Sequence, residues 1–225
     1  MTVRIADIEV AYDEWGAGEP VVLVHGLAQD KSSWGAVRDA LDSARCYAYD
    51  LRGHGETTPG EGEGTLEQLA ADLIGFLESV TGPARCVGYS LGGTIVLKAA
   101  TLRPDLVRHA VVSGTSSVVG RAAVAFFDQR IEMLENDRTA FAAGLKSDTE
   151  AQIVTGGKDL DAMAKTRLEA VGEGHGYINA ARAMQRVNGE PLTPGLKDIQ
   201  CRVDVIGGDR DAFCPRKAAD IMLAE

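Results

Sequence analysis

The sequence predicts an α/β fold, in which a mostly parallel sheet is flanked by helices and interrupted by an all-helical insertion. Three observations support this prediction. Strand and helix patterns alternate between residues 3 and 113. Residues 21–24 form an unbroken apolar run, which is typical of a strand buried on both faces. From about residue 116 to residue 187 only helical patterns occur, and a strand pattern returns at residues 201–206.

The first part of the chain divides into short elements that are separated by turn residues. A pair of strands over residues 3–12 is followed by turn residues and by the strand at 21–24. Ser32 or Ser33 is expected to cap a helix that runs to about residue 41. Residues 46–50 form the next strand, and the glycine-rich stretch that follows it, residues 52–64, is expected to be a loop.

The clearest helix begins after Thr65. Thr65 and Gln68 fit a capping box, in which the threonine hydroxyl accepts a backbone N–H three residues later. Leucines then recur at helical spacing, and Gly82-Pro83 ends the helix. Strands over residues 85–89 and 107–113 enclose a further apolar helix over residues 91–102.

The sequence predicts that the chain is organised in two units. Helical patterns make residues 116–190 a cap, or lid, inserted into the fold. Residues 1–115 and 191–225 are then the α/β core, which includes the strand at 201–206. The helices predicted in the cap cover residues 122–135, 139–145, 160–171 and 177–187, and another begins at residue 216.

Composition and charge exclude several classes of function. The 225 residues carry a formal net charge of −10 and a pI near 4.9, whereas nucleic acids and anionic membranes are bound by basic surfaces. No apolar stretch reaches the roughly 18 residues of a membrane span, and the first residues do not resemble a signal peptide. The four cysteines form no C-x-x-C pair. We therefore expect a cytoplasmic protein that binds neither nucleic acid nor membrane.

The segment Gly88-Tyr89-Ser90-Leu91-Gly92 is a G-x-S-x-G motif. The string alone is moderately specific, but here it follows a predicted strand and opens a predicted helix. A turn this sharp needs glycine at both flanks, and it presents the serine hydroxyl beside the amide N–H groups of a helix N-terminus. The context therefore favours a nucleophilic serine over an ordinary serine in a turn of small residues.

Three more motifs lie at the ends of other predicted strands. His25-Gly26 follows the strand at 21–24, an Asp-x-Arg-Gly-His-Gly segment begins at Asp50, and a Gly-Asp-Arg-Asp segment ends at Asp211. Together with G-x-S-x-G, this series resembles the α/β-hydrolase superfamily, in particular its cap-bearing esterases and enol-lactonases. The resemblance covers most of the chain, with residues 116–190 matching only as a variable helical cap. It is specific for the fold and much less so for the substrate.

The resemblance implies a role for four residues. Ser90 is the nucleophile, and the backbone N–H groups of Leu27 and Leu91 form the oxyanion hole. Asp211 is the acid that orients the catalytic base, since it completes the family's G-x-x-D spacing. Asp209, two residues earlier, is the alternative acid.

No histidine stands where the resemblance places the catalytic base. The family places its histidine after the acid, whereas the four histidines here, at positions 25, 54, 109 and 175, all precede Asp211. Two explanations are open: the chain is part of a longer enzyme and stops before a final strand, helix and histidine, or it is a natural protein without that histidine. The helix predicted from residue 216 has no Gly or Pro stop, which favours the first. His175 is a further candidate, in an order reversed from that of the family.

Aromatic side chains are the candidates for a substrate pocket. Trp34 and Tyr89 lie near the motifs, and Phe126 and Phe127 lie in the predicted cap. Arg121 is a candidate clamp for a charged substrate group. Neither a phosphate-binding loop nor a tight cluster of metal ligands is found, so no cofactor and no metal are expected.

These features predict a serine hydrolase with a small-molecule substrate. It is expected to cleave a small carboxylic ester or lactone through an acyl-enzyme on Ser90. The alternative is a ligand-binding or catalytically impaired protein of the same fold that lacks the triad histidine.

Overall fold

The computed structural model describes residues 1–38, 40–41, 43–153 and 157–225. One sheet contains seven strands in the order β1-β2-β4-β3-β5-β6-β7. The pairings of β1 with β2 and of β2 with β4 are antiparallel. The other four pairings, from β4 through β3, β5 and β6 to β7, are parallel, so the predicted mostly parallel sheet is confirmed. The strands are β1 (Thr2–Ile5), β2 (Ile8–Trp15), β3 (Pro20–Val24), β4 (Arg45–Tyr49), β5 (Ala84–Tyr89), β6 (Val107–Ser113) and β7 (Arg202–Ile206).

Helices flank the sheet and also follow one another in the segment between β6 and β7. Within its described residues that segment holds four α-helices and no strand. A π-helical turn over Leu77–Thr81 extends the helix that ends at Phe76. The helices are α1 (Gly35–Arg38), α2 (Leu66–Phe76), α3 (Leu91–Leu102), α4 (Arg121–Asn136), α5 (Arg138–Gln152), α6 (Leu160–Val171), α7 (His175–Arg186) and α8 (Arg216–Leu223), with 3₁₀ turns at Lys31–Trp34 and Thr193–Asp198.

The helix predicted from Ser32 or Ser33 differs from the observed one. The observed segment consists of the 3₁₀ turn followed by the short α1, and residue 39 of the predicted helix lies outside the described residues. Its cap is Asp30, whose carboxylate accepts the Ser32 N–H at 2.8 Å. A carboxylate caps well because its charge also offsets the positive end of the helix dipole.

Helix α5 is longer than predicted and runs to Gln152 instead of residue 145. The extension is polar in sequence, but Thr149 within it is buried and donates its hydroxyl to the Leu145 carbonyl at 2.8 Å. A threonine satisfied in this way can occupy a buried helical position, which an apolar pattern does not reveal.

Alternate side chains of the parallel strands fill a core on each face of the sheet. In β3, Val22 and Val24 lie in the larger core with α2 and α3, whereas Val21 and Leu23 lie in the smaller core on the opposite face. A third apolar cluster, formed by α4 to α7, includes Ala28 from the loop after β3. This contact ties the helical segment to the carboxyl end of β3.

Candidate active site

The sequence motifs meet at one edge of the sheet. Strands β3, β5, β6 and β7 are parallel neighbours, so their carboxyl ends lie side by side. Leu27 follows β3, Ser90 follows β5 and Asp211 follows β7, and all three line one cavity of about 960 Å³. Open α/β sheets bind their ligands at this edge.

Ser90 has a strained backbone conformation, with φ 52° and ψ −119°. Its N–H donates to the Ser113 carbonyl at 2.8 Å, and its own carbonyl accepts the Thr115 hydroxyl at 3.0 Å. A positive φ at a residue other than glycine costs about 1–3 kcal/mol and persists only where the surroundings impose it. The hydrogen bonds of Ser90 with Ser113 and Thr115 impose this conformation, and the strained turn presents the serine to the cavity.

The glycines of the motif allow close approach of backbone to backbone. A Cβ at Gly88 would overlap the backbone of Gly92, and a Cβ at Gly92 would overlap the carbonyl oxygen of Val24 in β3. The first turn of α3 is therefore held directly against β3 and β5. This contact is the physical reason for glycine at both flanks of Ser90.

Two backbone N–H groups beside Ser90 have no acceptor among the described residues. They belong to Leu91, the first residue of α3, and to Leu27, in the loop after β3. The Gln29 side chain shapes that loop by accepting the Gly26 N–H at 2.9 Å. Preorganised donors of this kind, next to a nucleophile, stabilise the negative oxygen of a tetrahedral intermediate.

Asp211 is held by the backbone of its own loop. Its Oδ1 accepts the N–H groups of Phe213 and Cys214 at 2.9 and 2.8 Å, while Oδ2 faces Gly114 at the end of β6. Burial raises the pKa of Tyr89, next to the serine, and the negative charge of Asp211 raises it further. One carboxylate oxygen is thus engaged by the loop, and the other faces the cavity and can accept an N–H from a base.

None of the four histidines lines this cavity. His109 is part of β6, and its Nε2 lies 2.7 Å from the carboxylate of Asp204 in the neighbouring β7. His175 is exposed at the start of α7, so the structure does not support it as the base for Ser90.

The other two histidines are structural. His25 is fully buried; its Nδ1 lies 2.8 Å from the Gly26 carbonyl, and its Nε2 accepts the Leu51 N–H at 2.9 Å. Because Nε2 is the acceptor, the ring is neutral with its proton on Nδ1. His54 is buried against it, with ring centroids 5.5 Å apart. The pair connects the loops that follow β3 and β4.

We expect the free energy of unfolding to fall as the pH decreases from 6.5 to 5. Burial lowers the pKa of His25 to about 4 and the pKa of His54 to about 3, from an ordinary value of 6.5. Below pH 6.5 the unfolded chain binds protons that the folded chain excludes. The contribution of the two neutral imidazoles to the free energy of unfolding is therefore fully present above pH 6.5. It is lost as the pH falls toward the folded pKa values, and the free energy then changes by up to about 1.4 kcal/mol per pH unit for each imidazole.

Urea unfolding at a series of pH values between 7.5 and 5 measures this slope. His54→Gln removes one titrating imidazole and should reduce the slope by about half. His175→Gln, at the exposed position, is the matched control and should leave it unchanged. A free energy of unfolding that stays constant between pH 6.5 and 5 would contradict the buried neutral pair.

The predicted pocket residues divide into two groups. Tyr89, Phe126 and Phe127 line the cavity with Ser90, and the ring of Phe126 lies edge-on to Phe213, 6.0 Å away. Trp34 does not line it: it packs on the opposite face of the sheet, against the small core of β3 and β4. The pocket role expected for Trp34 is therefore not supported, because the turn that carries it lies on the other side of the strands.

The half-buried positive charge of the cavity was not predicted. Arg121, the candidate clamp, is exposed and does not line the cavity, whereas Arg167 of α6 does. The sequence contains a signal for Arg167, since it lies three residues after Ala164 and four before Val171, on the buried stripe of α6. A charge at such a position marks a candidate functional residue.

The described residues contain no cluster of three or more His, Cys, Asp or Glu side chains placed to hold a metal ion. No helix within the same residues has the length and apolar character needed to cross a membrane.

Known proteins resemble this chain over most of its length. A hydrolase from Acinetobacter baylyi, (E)-2-((N-methylformamido)methylene)succinate hydrolase, is 28% identical over 230 residues, which cover 99% of this chain and 83% of the relative. An esterase from Exiguobacterium antarcticum superposes with a TM-score of 0.86 at 22% identity, covering 98% of this chain and 85% of the esterase. The enol-lactonase from Burkholderia xenovorans superposes with a TM-score of 0.83 at 20% identity, covering 99% and 86%. These two structures share the fold.

The family match includes every motif described above. The model of the alpha/beta hydrolase family matches residues 21–225, from β3 through the serine turn to α8. Strands β4 to β7, the strained Ser90 between two close-packed glycines and the loop of Asp211 all lie within that range. The chain therefore belongs to the alpha/beta hydrolase family.

Proposed function

We propose that this protein is a serine hydrolase that cleaves a small carboxylic ester or lactone through an acyl-enzyme on Ser90. The observation that carries the proposal is a single cavity lined by a strained serine, two amide donors and an anchored carboxylate. The fold accommodates such substrates, since an esterase and an enol-lactonase have it. In this proposal residues 1–115 and 191–225 form the catalytic core, and residues 116–190 form the cap that covers the substrate.

The reaction proceeds in two steps. The Ser90 Oγ attacks the carbonyl carbon while its proton passes to a base, and the carbonyl oxygen becomes an anion held by the Leu27 and Leu91 N–H groups. The bond between carbon and the alcohol oxygen then breaks, and the base returns the proton to that oxygen. Water attacks the acyl carbon with the same assistance, which releases the acid and restores Ser90.

Asp211 orients the base. An imidazole between the Ser90 Oγ and the Asp211 Oδ2 would donate its N–H to the carboxylate and accept the serine proton. None of the four histidines in the sequence lines the cavity, and serine without a base is a poor nucleophile. This observation favours a second candidate function, in which the same cavity binds a ligand and does not turn it over.

A fluorophosphonate probe separates the two functions. If the protein produced from its natural gene is a hydrolase, the probe labels Ser90 within minutes, and 4-nitrophenyl esters are hydrolysed with saturation kinetics. Peptide mass spectrometry locates the label. If Ser90 stays unlabelled and ester turnover does not exceed that of the heat-denatured protein, the hydrolase proposal fails and the binding function is supported.

A further inference from the structure

Arg167 brings a positive charge into the Ser90 cavity. Its Nη1 donates to the Thr149 hydroxyl at 2.9 Å, and its Nε donates to the Ala28 carbonyl at 3.4 Å. No carboxylate among the described residues forms an ion pair with it. The guanidinium is half-buried. Its two neutral acceptors hold it in place but do not neutralise its charge.

The nearby carboxylate of Asp148 is already occupied. Its two oxygens accept the Nε and Nη2 of Arg130 at 3.0 and 2.7 Å, which makes that pair neutral. Burial lowers the pKa of Arg167, but a guanidinium remains protonated at neutral pH. A partly desolvated cation is costly unless an anion approaches it. A carboxylate on the ligand would offset this cost.

Arg167 contacts the loop that carries one of the two proposed oxyanion donors. It is hydrogen-bonded to Ala28, which has a strained φ of 56° and directly follows Leu27, one of the two proposed oxyanion donors. The loop after β7 lines the cavity with charges of both signs, Asp209 and Asp211 beside the exposed Arg210, whereas Arg167 is a half-buried cation. A ligand whose carbonyl lies at Ser90 can therefore direct an anionic end toward α6, where the half-buried guanidinium attracts it.

We propose that Arg167 binds a carboxylate of the substrate, so that the cavity selects esters or lactones whose acyl part carries a second, ionised carboxyl group. The selection among substrates rests on the proposed hydrolase function, whereas the binding of a carboxylate-bearing ligand does not. The guanidinium offers its remaining N–H groups to both oxygens of such a carboxylate.

Two esters of nearly equal size test the selection. Mono-4-nitrophenyl glutarate carries a carboxylate where 4-nitrophenyl pentanoate carries a methyl group. Arg167→Gln should lower kcat/KM for the glutarate ester by about 10- to 100-fold, the effect of losing a charge-assisted hydrogen bond, and change the pentanoate value by less than about threefold. Arg167→Lys should recover part of the difference.

The matched control is Arg138→Gln in α5. Arg138 is exposed, does not line the cavity and donates to the carbonyls of Gly172 and Glu173, so its replacement should leave both esters unaffected. An equal loss for both esters in Arg167→Gln would mean that Arg167 only supports the fold, and would overturn the proposal.

A binding measurement separates this proposal from the hydrolase function. Calorimetric titration of Ser90→Ala with monomethyl glutarate measures recognition without turnover. Adding Arg167→Gln should raise the Kd by about tenfold or more, whereas methyl pentanoate should bind both forms equally weakly. If monomethyl glutarate binds equally well with and without Arg167, or does not bind, the carboxylate site is refuted even if esters are hydrolysed. If it binds through Arg167 and no ester is hydrolysed, only the hydrolase function fails.

Discussion

Ser90→Ala should lower kcat for ester hydrolysis on the order of 10⁴-fold or more and abolish labelling by a fluorophosphonate. The substitution removes the only atom of Ser90 that forms the acyl-enzyme bond. It retains the Cβ and the backbone groups that hydrogen-bond to Ser113 and Thr115, so the strained turn and the fold should be unchanged. Steady-state kinetics on a 4-nitrophenyl ester, together with thermal unfolding, check both parts of the expectation.

Ser113→Ala is the matched control for this variant. Ser113 lines the same cavity, and its contacts with Ser90 and Thr115 are made by its carbonyl, which alanine retains. It should keep kcat within about threefold, since the Ser113 hydroxyl forms no bond in the proposed acyl transfer. An equal kcat in the wild type and in Ser90→Ala would show that Ser90 is not the nucleophile.

Asp211→Asn should lower kcat by roughly 10³- to 10⁴-fold with little change in KM. The Phe213 and Cys214 N–H groups need an acceptor, so the amide oxygen of asparagine should remain at the position of Oδ1. The amide NH₂ would then replace Oδ2 at the cavity. This group donates where the carboxylate accepts, which would leave the imidazole of the proposed mechanism in the wrong tautomer and without a compensating charge.

Asp209→Asn provides the comparison, because Asp209 lines the same cavity but is exposed. Its kcat should stay within about threefold of wild type. Kinetics and thermal unfolding of both variants decide between the two acids. If Asp209→Asn is the more damaging variant and Asp211→Asn is nearly silent, the assignment of the acid is reversed.

The elements of the sheet could be predicted because their signals are local. An apolar run such as residues 21–24 has few alternatives to a buried strand, and Thr65 predicts the beginning of α2 by its own hydrogen bond to Gln68, which the structure contains at 3.2 Å. The motifs at the strand ends could be placed at one edge because parallel strands end on the same side of a sheet.

Trp34 and Arg167 could not be assigned in the same way. Their surroundings depend on which face of the sheet a turn occupies and on how α6 packs against the loop after β3, and both are set by contacts between residues far apart in the chain. The Nε of Arg167, for example, bonds a carbonyl 139 residues away in sequence. Local spacing marks α6 as a helix but does not show what its buried stripe contacts.

The sequence by itself determined the α/β fold, the turn that strains Ser90 and the loop that carries Asp211, because each depends on a few neighbouring residues whose backbone needs are specific. Only the tertiary structure decided that Ser90, Leu27, Leu91 and Asp211 share one cavity, that no histidine of the chain lines it, and that an unpaired guanidinium does. Burial and charge compensation are properties of assembled elements. They exist only once distant segments have been brought into contact.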